Sequence, residues 1–318
     1  MMQWKLFHYQ IPFVSSLDFK GHLLTQRSGC ILQLSDENGR LSWGDICPLP
    51  GFSQESLLQA KTQIINLLEQ NIPPLVNQAR LYPSVKFALN CALQKIPLGY
   101  QSNNEIISTP LLQGDIYSQL AQYKALGCPR LVKIKVARAS LTEDIALFHA
   151  LINLNNNIQI RCDANQAWSY AQAAQFFTQI PLIHLDYIEE PTLIHQQNIA
   201  LAQSYHISLA LDETLQDPCF TYQPHPYIKA LILKPSLLGC ILKWVKIAQT
   251  DNLHINLSAS FESSVALQQI RYLAENTSCV AGVSLGIDTL KYFQAAPLAK
   301  NRDLENKIQH LECIWHKN

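Results

Sequence analysis

Short apolar runs, each closed by an ionisable side chain, recur through the middle of the chain. VKIKV carries Lys133 and Lys135, IQIRCD ends at Asp163, DYIEEP holds Glu189 and Glu190, LALD ends at Asp212, and ALILKP carries Lys234. Successive runs lie one strand plus one helix apart, the length of a βαβ repeat. A charge at the tip of an apolar strand is costly unless something uses it. Five in succession point to one shared site.

Strand alternation sorts the side chains. Lys133 and Lys135 share a face opposite Val132, Ile134 and Val136; Gln159, Arg161 and Asp163 oppose Ile158, Ile160 and Cys162; Ser208, Ala210 and Asp212 oppose Ile207, Leu209 and Leu211. Closing these strands into a parallel barrel turns the polar faces inward at the carboxyl ends, where barrels carry their chemistry. The fold class expected is therefore α/β, a modified TIM-like β/α barrel. With one strand before Lys133, the lysine pair falls on the second strand and Lys234 on the sixth, across the ring. The carboxylates fall on the third, fourth and fifth, and alternation lets only one of Glu189 and Glu190 point inward.

Clustered carboxylates cannot all remain ionised without a cation. Oxygen ligands from separate strands suit a hard divalent ion, Mg²⁺ in preference to zinc, with Mn²⁺ as the alternative. Such an ion can bind a substrate carboxylate and steady the enediolate formed when the adjacent carbon loses a proton. A lysine crowded by a second amine and a cation has its pKa lowered. Lys135 is thus the expected base, Lys133 the neighbour that tunes it, and Lys234 the group on the opposite face.

The first hundred residues follow a different pattern. Trp4 to Tyr9, Cys30 to Leu34 and Leu41 to Ile46 read as strands, the last two joined by the turn Asp36-Glu37-Asn38-Gly39. Gln54 to Glu69 and Pro83 to Leu93 have helical spacing. Strands followed by helices describe an α+β unit, with an irregular Pro48 to Ser53 segment between them. The polar stretch Gln101 to Glu105 is the expected boundary. Beyond it Ile106 to Leu112 is the first barrel strand and Val280 to Leu285 the eighth. Helices are expected over Asp115 to Leu126, Thr142 to Leu154, Ser169 to Phe177, Gln196 to Tyr205, Leu238 to Gln249 and Glu262 to Leu273.

Composition narrows the function. The 318 residues are 48% hydrophobic and 15% charged with zero formal net charge, which suits a large core and indicates neither a nucleic-acid nor a membrane partner. No apolar run approaches a membrane span and no export signal leads the chain, so a cytoplasmic enzyme is expected. Nine cysteines without CxxC spacing read as reduced, mostly buried thiols, with Cys162 turned into the core. Ten histidines form no HxH or HExxH pattern.

The motifs KIKV, DANQAW, YIEEP, LDETL, ILKPS and SASFESS resemble the enolase superfamily, in its muconate-lactonising subgroup. More narrowly, WGDICPLPGFSQES, PSVKFALNCAL, PLLQGD, RCDANQAW, SASFESS and GIDTL, in that order, resemble the o-succinylbenzoate synthase family across nearly the whole chain. Departures from the pattern include Cys162, Gln166, Ala137-Arg138 and Thr214; none replaces a predicted ligand or lysine. The resemblance implies an N-terminal capping domain (1–100), a barrel (101–290) and a tail (291–318) packing back on the cap. It selects Glu189, with Asp163 and Asp212, as metal ligands. It makes Phe52 and the Phe13 to Gln26 segment walls of the substrate pocket, and it lets Ser258, Ala259, Ser260 and Gly286 hold a succinyl carboxylate. Arg161, on the face of Asp163, is a further candidate substrate contact, and Asn165 a hydrogen-bonding neighbour of a ligand.

The implied activity is that of an Mg²⁺-dependent hydro-lyase of menaquinone biosynthesis, converting 2-succinyl-6-hydroxy-2,4-cyclohexadiene-1-carboxylate to 2-succinylbenzoate. The substrate is a small carboxylate and no obligate protein partner is expected. The alternatives are an N-succinylamino acid racemase or dipeptide epimerase with the same machinery and, more remotely, a non-catalytic barrel that only binds.

Overall fold

A computed structural model describes residues 2–70, 80–99, 108–279, 281–295, 298 and 303–317. The expected boundary at Gln101 to Glu105, the start of the first barrel strand and Val280 lie outside the described residues.

The N-terminal unit is an antiparallel sheet of β1 (Gln3–Phe19), β2 (His22–Ser35) and β3 (Leu41–Ile46), backed by α1 (Leu57–Glu69) and α2 (Pro83–Leu93). Trp4, Leu6, Cys30, Leu32 and Leu34 pack on the helices, as period-two alternation requires. Gly44 of β3 brings sheet and helix together: a Cβ there would lie 2.0 Å from the Ala88 carbonyl oxygen. The Phe13 to Gln26 segment, expected as a wall of the substrate pocket, extends both strands into one long hairpin. Lys20 and Gly21 both take positive φ (52° and 86°), the two-residue turn that matches strand twist. A register shift between Pro12 and Leu17 absorbs the residues that break alternation.

Eight parallel strands follow: β4 (Leu111–Leu112), β5 (Leu131–Lys135), β6 (Gln159–Asp163), β7 (Leu185–Glu189), β8 (Leu209–Leu211), β9 (Ile228–Leu233), β10 (His254–Ser258) and β11 (Val283–Gly286). They hydrogen-bond in sequence order, and a parallel bridge between Ser108 and Leu285 joins the first to the last. Helices α3 (Ile116–Ala125), α4 (Leu141–Leu154), α5 (Tyr170–Gln179), α6 (His195–Tyr205), α7 (Pro235–Leu238), α8 (Leu242–Thr250) and α9 (Ser264–Glu275) cover the outside. Ser140 and Ser169 cap α4 and α5 in reciprocal boxes with Glu143 and Gln172. The single helix expected over Leu238 to Gln249 is two, because Gly239 at φ 75° ends α7. A 3₁₀ turn, Glu213–Gln216, stands in place of a helix after β8.

Val132, Ile134, Val136, Ile158, Ile160 and Cys162 all face the helix layer, each worth about 1.5–3 kcal/mol of burial for the larger side chains. That burial fixes which face of each strand looks inward, since a one-residue slip would expose the whole apolar set. After β11 the chain forms α10 (Leu304–Gln309) and returns as β12 (Glu312–Lys317), antiparallel to β1 at the edge of the N-terminal sheet. All nine cysteines are free, but fewer are buried than composition suggested: Cys30, Cys47, Cys91 and Cys162 are, while Cys219 and Cys313, in loop and edge-strand positions, are exposed. Among the described residues no helix is long and apolar enough to cross a membrane.

Candidate active site

Strand register places Lys135 beside Asp163 and Asp163 beside Glu189. Glu189 pairs in turn with Ala210, so Asp212, two residues on, occupies the same face just past β8. Lys234 links the end of β9 to α7. All five groups therefore stand at the carboxyl ends of strands two to six.

The two lysines of β5 have different surroundings. Lys133 Nζ lies 2.5 Å from Glu189 Oε2 and 2.9 Å from Asp163 Oδ2. Burial works against its charge, but Asp163 and Glu189 outweigh burial and hold its pKa well above the ordinary lysine value. Lys135 makes no ion pair among the described residues; burial lowers its pKa, the Asp163 charge opposes, and the positive charges of Arg138, Lys133 and Lys234 add to the lowering. Lys234 is bound to Asp212 Oδ2, and despite burial Asp212 and Glu213 raise its pKa. Against the cost of burial, Lys133, Lys135 and Lys234 hold the Asp163 carboxyl well below the carboxylate range. Glu189 is pushed up to about 7, chiefly by burial that Lys133 only partly offsets.

The carboxylates are thus paired with lysines, where convergence on one point was expected. Among the described residues no three acidic or other metal-binding side chains stand close enough to share an ion. A buried carboxylate takes the nearest donor, and Lys133 and Lys234 are within reach. Yet Glu189 Oε1 and Asp212 Oδ1 are buried with no hydrogen-bond partner, as are both oxygens of Glu213. Unpartnered carboxyl oxygens at adjacent strand tips fit a hard divalent cation, and the donor set, all oxygen, suits Mg²⁺ or Mn²⁺.

Several supporting residues had no clear signal in the sequence. Glu190 faces away from the barrel axis and caps the turn that carries Asp212: it accepts from Asp212 N (2.9 Å), Thr214 N (3.0 Å) and Thr214 Oγ1 (2.9 Å). Alternation alone could say that it pointed outward but not that the next loop would close on it. Glu213, beside Asp212, is raised to about 8 by burial and then by the Asp212 charge. Asn165, by contrast, was expected as a hydrogen-bonding neighbour of a ligand: at φ 46° it donates from Nδ2 to Asp163 Oδ1 at 2.5 Å.

Arg161 departs from its expected substrate contact. Its Nε donates to Asp186 (2.8 Å), its Nη1 to Thr109 (3.0 Å), and its guanidinium stacks on Tyr187. Asp186 opens β7 near the amino end of the barrel, so the pair draws the side chain away from the lysines. A cavity of about 450 Å³ at that amino end is lined by Arg161, Asp186, Lys229 and His254. Its principal charges are mutually paired, Asp186 with both Arg161 and Lys229, and no strand-tip carboxylate reaches it.

Ser258, Ala259, Ser260 and Gly286 are brought together at the ends of β10 and β11, but two of their backbone donors are already engaged. Ala259 N donates to Gly286 O (2.9 Å) and Ser260 N to Glu262 Oε2 (2.5 Å). The Ser260 hydroxyl is buried without a partner. Phe52 is half-buried against Phe19 of the hairpin, at the edge of an aromatic cluster that includes Phe13 and Phe261.

Residues 1–96 match the family model described as MenC, N-terminal domain, and residues 115–272 that described as Enolase C-terminal domain-like. An o-succinylbenzoate synthase of Vibrio cholerae serotype O1 is 32% identical over 301 residues, covering 91% of this chain and 90% of its own length. In fold the chain is similar to o-succinylbenzoate synthase from Thermosynechococcus elongatus BP-1, complexed with magnesium in its active site (TM-score 0.74, 24% identity, 93% of this chain and 95% of that one). It is also similar to the L-Ala-D/L-Glu epimerase of Bacillus subtilis (TM-score 0.70, 16% identity, 92% and 90%).

Proposed function

Because the chain belongs to the o-succinylbenzoate synthase family of the enolase superfamily, we propose that it is the lyase that dehydrates 2-succinyl-6-hydroxy-2,4-cyclohexadiene-1-carboxylate to 2-succinylbenzoate in menaquinone biosynthesis, in the cytoplasm. The observation that carries this reading is the contrast within β5, where Lys133 is tied to two carboxylates and Lys135, on the same face, has a depressed pKa and no ion pair.

Asp163, Glu189 and Asp212 would hold a divalent metal, Mg²⁺ by preference, once their side chains turn from the lysines with which they are paired. Bound there, the metal supplies positive charge to the substrate carboxylate and to the charge that grows on it. Lys135 Nζ takes the proton from the ring carbon that bears the carboxylate, leaving an enediolate. Lys133 keeps the carboxylate cluster neutralised, and Lys234 faces the developing charge from the opposite wall. The carbon–oxygen bond of the neighbouring hydroxyl then breaks, its oxygen receives a proton from Lys135, and water departs as the ring becomes aromatic. Aromatisation favours the products, so the protein needs mainly to position groups and stabilise charge. The cap (1–100) would cover the mouth of the barrel (101–290), with the tail (291–318) returning to the cap.

Formation of the aromatic product, followed by ultraviolet absorbance with and without chelator, tests the assignment. Absence of product from a metal-loaded protein would overturn it. Two amines on opposite walls also suit proton exchange at one carbon, the racemase reading. Deuterium from solvent entering an N-succinylamino acid would reveal that activity.

A further inference from the structure

The loop after β10, residues 259–263, is held from the cap by Arg27, which lies outside every motif, and by Asp45, within the WGDICPLPGFSQES stretch. Arg27 of β2 is only 2% exposed, yet no carboxylate pairs with it among the described ion pairs. Its guanidinium goes instead to Pro48 O (2.9 Å), Cys47 O (3.0 Å) and Cys47 Sγ (2.8 Å) on the cap side, and from Nε to Phe261 O (3.1 Å) on the barrel side. Asp45 of β3 is fully buried and accepts from Tyr9 Oη (2.9 Å) within the cap and from Ser263 Oγ (2.7 Å) and N (3.2 Å) in the barrel. Ser263 is also the N-cap of α9.

The held loop is under constraint. Phe261 takes a positive φ of 60°, unusual for an aromatic residue, with its carbonyl fixed by Arg27 and its ring packed on Phe19 and Tyr292. Next to it Glu262 accepts from Ser260 N and from the Ser236 hydroxyl, and Ser236 lies two residues after Lys234. A buried guanidinium is costly to desolvate, and here its hydrogen bonds are spent on fixing main chain from two parts of the fold. The same loop presents the unpartnered Ser260 hydroxyl.

We propose that Arg27 and Asp45, neither of them bonded to the lysines or strand-tip carboxylates, are positioning residues that set the shape of loop 259–263, so that substrate is gripped only when cap and barrel are docked. The inference rests on the proposed dehydration for its kinetic readout, but not for its structural one. A bidentate guanidinium spanning two backbones has no lysine equivalent, so the two conservative changes at Arg27 separate shape from charge.

The test compares Arg27→Met, Arg27→Lys and Asp45→Asn with the wild-type chain by hydrogen–deuterium exchange of the 258–264 peptide and by steady-state kinetics on the cyclohexadiene substrate. Arg27→Met is expected to speed exchange in the loop about tenfold and raise KM about tenfold while kcat stays within about threefold. Arg27→Lys should recover part of both effects. Unchanged exchange in folded Arg27→Met overturns the proposal, as does a fall in kcat with KM unmoved. If Arg27→Met does not fold, Asp45→Asn, which leaves the Ser263 hydroxyl in place to cap α9, must still speed exchange in the loop, and its failure to do so counts against the proposal. A wild-type protein that forms no aromatic product refutes the proposed reaction, while the exchange comparison still decides the clamp.

Discussion

Lys133 and Lys135 share one face of β5 two residues apart, yet only Lys133 is bound to Glu189 and Asp163. An ammonium held by two carboxylates cannot serve as a base, whereas a buried amine crowded by positive charge can. Lys135→Ala should therefore lower kcat/KM by about 10³-fold or more with little change in thermal midpoint. Lys133→Ala should lower stability as well, because it strands two buried carboxylates. Equal activity losses with equal stability in the two variants would remove the distinction.

The depressed pKa of Lys135 also predicts a pH profile. As pH rises the amine loses its proton, so kcat/KM should climb through an apparent pKa below that of an ordinary lysine. Burial is the main cause, and Arg138 leads the neighbouring charges that add to it. Arg138→Gln removes one of those charges without touching the site. The rising limb should then move to higher pH, and a limb that stays in place would show that Lys135 is not the group titrating.

The barrel was legible because the inward and outward faces of each strand differ so sharply in polarity. Val132, Ile134 and Val136 could face only the helix layer, which left Lys133 and Lys135 for the interior. What could not be read was how charges settle once inside. Arg161 has the right parity to face substrate, but Asp186 on the next strand captures it. The Phe13 to Gln26 segment was marked only by resemblance, as a wall of the pocket; a turn as short as Lys20-Gly21 and a tolerated register shift make it a hairpin, and Pro12 with two serines hides the alternation. Glu190 and Arg27 act through main chain brought near only by the fold, and pattern reading has no access to such contacts.

Glu190 gives a test of how the Asp212 turn is built. Its carboxylate accepts from three donors of that turn, and from Asn198 Nδ2, so Glu190→Ala should cost on the order of 2–4 kcal/mol in urea unfolding. Because Asp212 rides on that turn, metal affinity should fall as well. Glu190→Gln keeps one acceptor oxygen but turns an amide toward the Thr214 donors, so it should fall between wild type and Glu190→Ala. A Glu190→Ala protein of unaltered stability and metal affinity would mean that the turn holds itself.

Asp45 makes the fold sensitive to pH far from the lysines. Burial is the main cause that raises its carboxyl from 3.8 to about 6, with Ser263 and Tyr9 opposing and the Glu262 charge adding to it. A raised carboxyl binds its proton more tightly in the folded chain than in the unfolded one. Its contribution to stability is therefore fully present below about pH 4 and is lost as pH climbs to about 6. Between pH 4.5 and pH 7 the wild-type chain should lose about 2 kcal/mol relative to Asp45→Asn, which has no proton to release. Urea unfolding of both proteins at pH 4.5 and pH 7 measures the difference directly. Other carboxylates titrate in both chains and cancel in the comparison, so parallel stability curves would show that Asp45 does not titrate as its burial requires.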